Sequence, residues 1–171
     1  MTLEATLLNL FSFIPPWLAV ILIAALPVAE LRLAIPIAIL KPPYGYGFDP
    51  FTAFILSIIG NMLPVIPLLL YLEPVSNYLR RWNTWDRYFE WLFNRTHHKH
   101  SADFEKYGSI GLAVFVGVPL PATGAWTGCA AAFVFGFKFR NALIAIFAGV
   151  LMAGIVVTVL TVAGIDLFNR I

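Results

Sequence analysis

The 171-residue chain is 60% hydrophobic and only 12% charged, and its mean hydropathy is +0.85. A soluble domain is nearer half apolar and a quarter charged, so the composition predicts a single integral membrane domain over residues 1–171. The net charge of +2 comes from scattered basic residues and gives no indication of nucleic-acid binding. The single cysteine, Cys129, excludes an intrachain disulfide and an all-cysteine metal site.

The first half of the chain contains an apolar run that prolines interrupt. Residues 3–14 are apolar but too short to span a bilayer, and they fit a helix at the membrane interface. The run 17–40 follows, with Pro27 and Pro36 inside it. If this run folds back at its middle, each arm of about a dozen residues reaches roughly 17 Å, near the bilayer midplane.

The middle of the chain contains a turn-rich segment, an apolar span and a charged amphipathic segment, in that order. Residues 41–50 are rich in proline, glycine and aromatic residues, and the prolines and glycines cannot continue a helix. The stretch 51–72 is long enough to cross the membrane, and Pro64 and Pro67 predict that its helix is kinked. Residues 73–108 place charges between aromatic residues that recur every three or four positions, which predicts an amphipathic helix in the headgroup plane.

The second half repeats this order. A second proline-broken run covers 109–137, and residues 141–165 form a last span. The pattern predicts an all-α integral membrane protein with two repeats, about 3–72 and about 109–165. Each repeat then contains an interfacial helix, a re-entrant helical hairpin and a kinked transmembrane helix.

The distribution of Lys and Arg predicts the orientation. Segment 73–108 holds most of them whereas 41–50 holds only Lys41, so 73–108 is expected to be cytoplasmic. If the second broken run re-enters the membrane, Lys138 and Arg140 stay on the cytoplasmic side and the two repeats are inverted. If that run crosses, both lie outside, against the rule; this topology also remains open.

The first broken run carries the candidate proton or substrate site. A carboxylate and a guanidinium at membrane depth are costly and are usually kept for function. Glu30 is a candidate proton carrier, since burial raises a carboxyl pKa unless a cation offsets it. Arg32 is a candidate anchor for an anionic group. In a continuous helix these two residues point to different faces, so either the backbone unwinds, as Pro27 and Pro36 favour, or each finds its own partner. The alternative is a structural ion pair.

The uncharged tip of the second run is the other candidate site. Its prolines free backbone carbonyls, and the amides that open the following helix are suited to an anion. The spacing of Gly124 and Gly128 equally fits close helix packing. The tip residues are Pro119, Pro121, Thr123, Gly124, Trp126, Thr127 and Gly128.

The sequence contains two further polar features. Asn61, inside the first full span, joins the site as a candidate, although an interhelix hydrogen bond is the commoner role of such a residue. His97, His98 and His100 lack carboxylates or cysteines at ligand spacing, so neither a metal nor a cofactor is expected. No nucleophile motif is present, and an enzyme is not predicted.

Three segments carry a family resemblance: residues 26–36 (LPVAELRLAIP), 60–65 (GNMLPV) and 115–128 (FVGVPLPATGAWTG). They resemble the small multidrug export proteins of bacteria and archaea, although Ala122 stands where that family is expected to have glycine. The family is distantly similar to the DedA membrane proteins, which have paired re-entrant hairpins and are implicated in flipping phosphorylated lipid carriers. The resemblance implies a proton-coupled transporter. The expected location is the cytoplasmic (inner) membrane of a bacterium or archaeon.

The sequence therefore predicts a multi-pass, proton-coupled transporter or exporter of a small amphipathic substrate. Arg32 slightly favours a phosphate-bearing lipid head group, whereas the family name favours lipophilic cationic drugs. A non-transporting membrane scaffold, in which Glu30 and Arg32 pair structurally, is the alternative of another class. The expected partners are the lipid bilayer, protons, the substrate and, from the small size, a second copy in a homodimer.

Overall fold

The computed structural model describes residues 6, 10, 11, 13–79, 102–118 and 123–168, with the backbone alone for 73–79 and 102–107. This part of the chain contains α-helices and no strand, which confirms the all-α prediction. The helices are α1 (Pro16–Ala25), α2 (Glu30–Ile39), α3 (Pro50–Met62), α4 (Val65–Leu79), α5 (Ala102–Gly117), α6 (Ala125–Val134) and α7 (Phe139–Phe168).

The first broken run forms two ten-residue helices, α1 and α2, that pack against each other. Leu26 ends α1 in an extended conformation (ψ 138°), because a residue before proline avoids the helical region. After a short turn, the Glu30 amide donates to the Leu26 carbonyl at 3.0 Å and α2 begins. Each helix is about 15 Å long, half of a hydrocarbon core.

Only the first of the two prolines breaks the run, so the expectation that Pro36 also unwinds the backbone is wrong. Pro36 lies inside α2. A proline there removes the single bond from its own nitrogen to the carbonyl four residues earlier, that of Arg32. The next turn still closes, since the Leu40 amide donates to the Pro36 carbonyl at 2.9 Å.

Two long apolar helical segments are candidate membrane spans: Pro50–Leu72, which is α3 and the start of α4, and α7. In the first, a turn at Leu63 and Pro64 separates α3 from α4, at one of the two prolines where a kink is predicted. Only a minority of residues in either span are buried, unlike a soluble core helix. Large apolar side chains instead form exposed stripes, as lipid contact requires. On the first span these are Phe51, Ile55, Ile59, Leu63, Ile66 and Leu70.

Two predicted interfacial segments lie largely outside the described residues. Of residues 3–14 the structure describes only a few positions, and of 73–108 it describes the backbone at each end. There α4 continues to Leu79 and α5 starts at Ala102. The inverted repeats, the re-entrant course of the broken runs and the cytoplasmic placement of 73–108 stay predictions.

The chain divides into two compact units: a first unit of Met1–Leu63 with Val150–Ile171, and a second unit of Pro64–Gly149. In the first unit α1, α2 and α3 pack on one another. The helices α1 and α3 approach each other closely at Gly60, where an added Cβ would lie 2.2 Å from the Ile21 carbonyl oxygen and 2.8 Å from the Ala24 Cβ. Small residues thus let α3 reach the backbone of α1.

In the second unit α6 packs against α4 and α5. Val116 of α5 fills the space beside two glycines: a Cβ at Gly128 would lie 2.5 Å from its Cγ2, and one at Gly149 would lie 2.7 Å from its Cβ. Cys129 is buried, with its sulfur 3.9 Å from the Val65 carbonyl oxygen, which is a packing position.

The chain between α2 and α3 satisfies the ends of both helices. Backbone amides of residues 46–48 donate to carbonyls in the last turn and the C-cap of α2 at 2.8–2.9 Å. Asp49 caps α3, and its Oδ1 accepts from the amides of Phe51 (3.1 Å) and Thr52 (3.0 Å). Hydrogen bonds from Thr52, and then Phe51, lower the pKa of the Asp49 carboxyl.

Asp49→Ala should lower the unfolding midpoint, because the first amides of α3 lose their acceptor, whereas Asp49→Asn should largely keep it. The pKa of the Asp49 carboxyl in the folded protein lies below its unfolded value of about 4. The negative charge of Asp49 therefore contributes its full stabilisation of the fold at pH values above about 4. It is lost as the pH falls through the folded pKa. As the pH falls through this range, the unfolding midpoint of the wild type should drop and that of Asp49→Asn should not. Equal pH profiles for the two proteins would contradict this role of the carboxylate.

Candidate functional site

Glu30 lies where the turn after α1 meets α2, and its carboxyl-bearing side chain is buried, with 7% exposed. Its φ is +47°, in the left-handed region that non-glycine residues rarely occupy. Such a conformation costs about 1–3 kcal/mol and persists where the surroundings impose it, often at functional sites. The N-terminus of α2 favours a negative charge at this position.

Arg32 is half-buried on α2, within electrostatic reach of Glu30. Glu30 and Arg32 do not sit on a regular helix that would turn them to different faces, because the φ of Glu30 is not helical. The structure thus brings the acid and the base of the first run together electrostatically. This arrangement is compatible both with a proton carrier tuned by a cation and with a structural pair.

Asn61 lies on the face of α3 that packs into the first unit, and only 1% of it is exposed. Neither its Nδ2 nor its Oδ1 has a hydrogen-bond partner within the described ranges, so the interhelix hydrogen bond expected for it is not formed there. Ser57, four residues earlier on the same face, is 0% exposed and its Oγ is likewise unpartnered among those residues.

Sequence reasoning missed Ser57. A single serine in an apolar helix is common and usually bonds to its own backbone. The signal that could have found it is its spacing of four from Asn61, which places the two polar side chains on one face.

The second tip is only partly described: Pro119 and Pro121 lie outside the described residues. Beyond them, the Thr123 hydroxyl donates to the Val118 carbonyl at 2.7 Å, and the Thr127 hydroxyl donates to the Gly124 carbonyl at 3.2 Å. Both hydroxyl hydrogens are therefore used within the tip itself.

Gly124 and Gly128 have different surroundings. Gly124 is the N-cap of α6, with φ 156° and ψ −167°, a conformation essentially restricted to glycine, and no side chain caps the helix there. Gly128 faces Val116 and Ile146, the packing role that its spacing offered as the alternative.

Trp126 lines an apolar groove of about 360 Å³ in the second unit. The other lining residues are Pro64, Pro67, Leu68, Tyr71 and Leu72. The groove surface is almost wholly apolar, which suits a hydrocarbon portion better than a charged group.

The candidate residues thus belong to two units: Glu30, Arg32 and Asn61 to the first, and the residues from Thr123 to Gly128 to the second. Within the described ranges no three His, Cys, Asp or Glu side chains come close enough to hold a metal ion.

Comparison with known proteins identifies the family. No match was found among curated proteins or among solved structures. A family model described as "Putative small multi-drug export protein" matches residues 30–156, which include Glu30, Arg32, Asn61 and the whole second tip. The chain therefore belongs to the small multidrug export protein family.

Proposed function

We propose that this protein is a proton-coupled membrane transporter of a small amphipathic molecule, with Glu30 as the proton carrier. The observation that carries the proposal is the buried carboxyl group of Glu30, held in a strained conformation at the break between two short apolar helices. A buried ionisable group in an apolar segment is a functional-site candidate in a membrane protein. The family description supports export as the direction.

Arg32 links the proton to the substrate. With Glu30 ionised, its charge offsets that of the guanidinium. When Glu30 takes up a proton, Arg32 carries an uncompensated positive charge and attracts an anion more strongly. An anionic substrate and a proton therefore bind together, whereas a cationic substrate and a proton compete for the same carboxylate.

We favour a phosphate-bearing lipid head group as the substrate, because a guanidinium binds phosphate through two parallel hydrogen bonds. The second candidate is a lipophilic cationic drug, which the family description favours. In that case Glu30 binds the cation directly.

Arg32→Ala should reduce binding of a short-chain fluorescent phosphatidic acid at least tenfold, a loss of about 1.4 kcal/mol or more. Binding to purified protein in lipid nanodiscs measures this, with ethidium as the cationic probe. Phosphatidic acid should bind more tightly as the pH falls, because protonated Glu30 leaves Arg32 uncompensated.

The matched control is Arg140→Ala, which removes an exposed arginine outside the site. It should leave phosphatidic acid binding unchanged. Ethidium binding that weakens as the pH falls and disappears in Glu30→Gln, with no phosphatidic acid binding, would replace the lipid proposal with the drug proposal. If neither probe responds to either variant, both are contradicted.

Two topological features belong to this proposal. The α1–α2 pair and the second broken run enter the bilayer halfway and return, and the repeats about 3–72 and about 109–165 are inverted. The length of α1 and α2, each about half of a hydrocarbon core, supports a re-entrant course for the first run. A homodimer in the cytoplasmic membrane of a bacterium or archaeon is the proposed assembly, with 73–108 on the cytoplasmic side.

A further inference from the structure

We propose that Ser57 and Asn61 hold buried water inside the first unit, next to the break that carries Glu30, and that this water conducts the proton to Glu30. The second part rests on the proposed function. The first part, the hydration site itself, stands on the burial and chemistry of the two side chains.

Three polar atoms carry the proposal: Ser57 Oγ, Asn61 Nδ2 and Asn61 Oδ1. All three are buried and unpartnered in the part of the chain that the structure describes. A buried polar atom without a partner is costly, and native proteins satisfy nearly all of them, with ordered water where no protein group is in reach. Two such residues one turn apart on one helix face form a single polar patch.

The polar patch of Ser57 and Asn61 lies on α3 beside the end of α1, where the turn that leads to Glu30 begins. Gly60, between Ser57 and Asn61, faces the Ile21 carbonyl oxygen and the Ala24 Cβ, in the last two turns of α1. The chain leaves α1 one residue after Ala24 and reaches Glu30 at the end of the turn that follows. Ser57 and Asn61 are thus within one helical turn of this level on α3.

The chemistry of the patch selects water over an ion. The Asn61 amide offers two N–H donors and an acceptor oxygen, and the Ser57 hydroxyl offers both functions. A cation would satisfy only the oxygen atoms and an anion only the donors. Water donates and accepts, and buried water typically makes about three hydrogen bonds, so it can satisfy all three atoms.

Magnetisation transfer from water to side-chain amides tests the hydration site in the full-length wild type. The protein is labelled with ¹⁵N-asparagine in lipid nanodiscs, and the Asn61 signal is assigned by its loss in Asn61→Asp. We expect magnetisation transfer from water to the Asn61 amide, with the sign that long-lived bound water produces. Asn141, only partly buried at the start of α7, is the matched control and should show short-lived surface water.

One result would overturn the hydration site: an Asn61 amide that receives no magnetisation from water while the Asn141 amide does.

The role of the water is tested separately with the double variant Ser57→Ala/Asn61→Leu. If the water conducts protons, proton uptake coupled to either fluorescent probe in proteoliposomes should slow at least tenfold. The unfolding midpoint should not rise, since the polar atoms were already satisfied. A raised midpoint would mean a dry site and overturn the proposal.

The two proposals fail in different ways. Normal proton uptake in a folded double variant, together with loss of uptake in Glu30→Gln, would reject the conducting role of the water alone. Normal uptake in Glu30→Gln would reject Glu30 as the proton carrier, while the hydration site would still stand or fall on the transfer experiment. Should the double variant not fold, Ser57→Ala alone provides the same comparison.

Discussion

Glu30→Gln should reduce proton-driven transport to the rate of vesicles without protein, while the unfolding midpoint changes by only a few degrees. Glutamine keeps the size and the hydrogen-bonding capacity of the side chain but cannot take up and release a proton at neutral pH. Arg32 is only half-buried by protein, and the proposed pathway is open to water at this point, so the charge of Arg32 stays solvated once the carboxylate is gone. Transport in proteoliposomes with an imposed pH gradient, and thermal unfolding of the same preparation, measure both quantities.

The scaffold alternative makes the opposite forecast for the same variant. Removing one member of a buried structural ion pair costs about 3–5 kcal/mol, because the partner charge remains buried and uncompensated. A large fall in the midpoint of Glu30→Gln would therefore favour the structural pair. Asp166→Asn, the same change at an exposed acid near the end of α7, is the control and should alter neither transport nor stability.

Gly60→Ala should destabilise the protein by about 1–3 kcal/mol, the usual range for overpacking a filled interior. The added Cβ would lie 2.2 Å from the Ile21 carbonyl oxygen, and a backbone atom cannot move aside as a flexible side chain can. The α1–α3 contact must therefore open, which also displaces the break that carries Glu30. Denaturant or thermal unfolding in a fixed detergent measures the loss.

Gly164→Ala is the matched control for this substitution. It is the same change in the interior of α7, where an added Cβ meets nothing within 4 Å. Since alanine is a better helix former than glycine by about 0.8–1.0 kcal/mol, this variant should be slightly more stable than the wild type. Equal stability changes at residues 60 and 164 would show that α1 and α3 do not approach each other as described.

The positions of helix ends could be predicted where proline sets the backbone locally. Pro27 forces the preceding residue out of the helical region and Pro64 lies in the turn between α3 and α4, and both breaks were predicted. Pro36 could not be judged in the same way, because a proline within an established helix removes only one hydrogen bond. Whether the neighbouring turns hold depends on their packing, which a single sequence does not contain.

The candidate site was predictable in its residue types but not in its geometry. Charged residues inside an apolar run indicate Glu30 and Arg32 as site candidates. The positive φ of Glu30 changes the direction of its side chain relative to that of Arg32. The sequence gives no sign of this conformation, because glutamate rarely adopts a positive φ. Ser57 is a candidate only because the tertiary structure buries it. The same serine facing lipid, or bonded to its own backbone, would have no comparable role.

The depth of the first helix break in the bilayer tests the central claim most directly. Val28, in that break, is 81% exposed and Tyr44, in the loop after α2, is 71% exposed, so either can carry a fluorescent label on an introduced cysteine in a Cys129→Ala background. Lipids with quenching groups at graded depths then locate each label. If the α1–α2 pair enters the bilayer halfway and holds Glu30 there, quenching at Val28 will be strongest for groups deep in the acyl chains, and at Tyr44 for groups near the head groups. Strongest quenching of both labels at head-group depth would contradict a proton carrier inside the membrane.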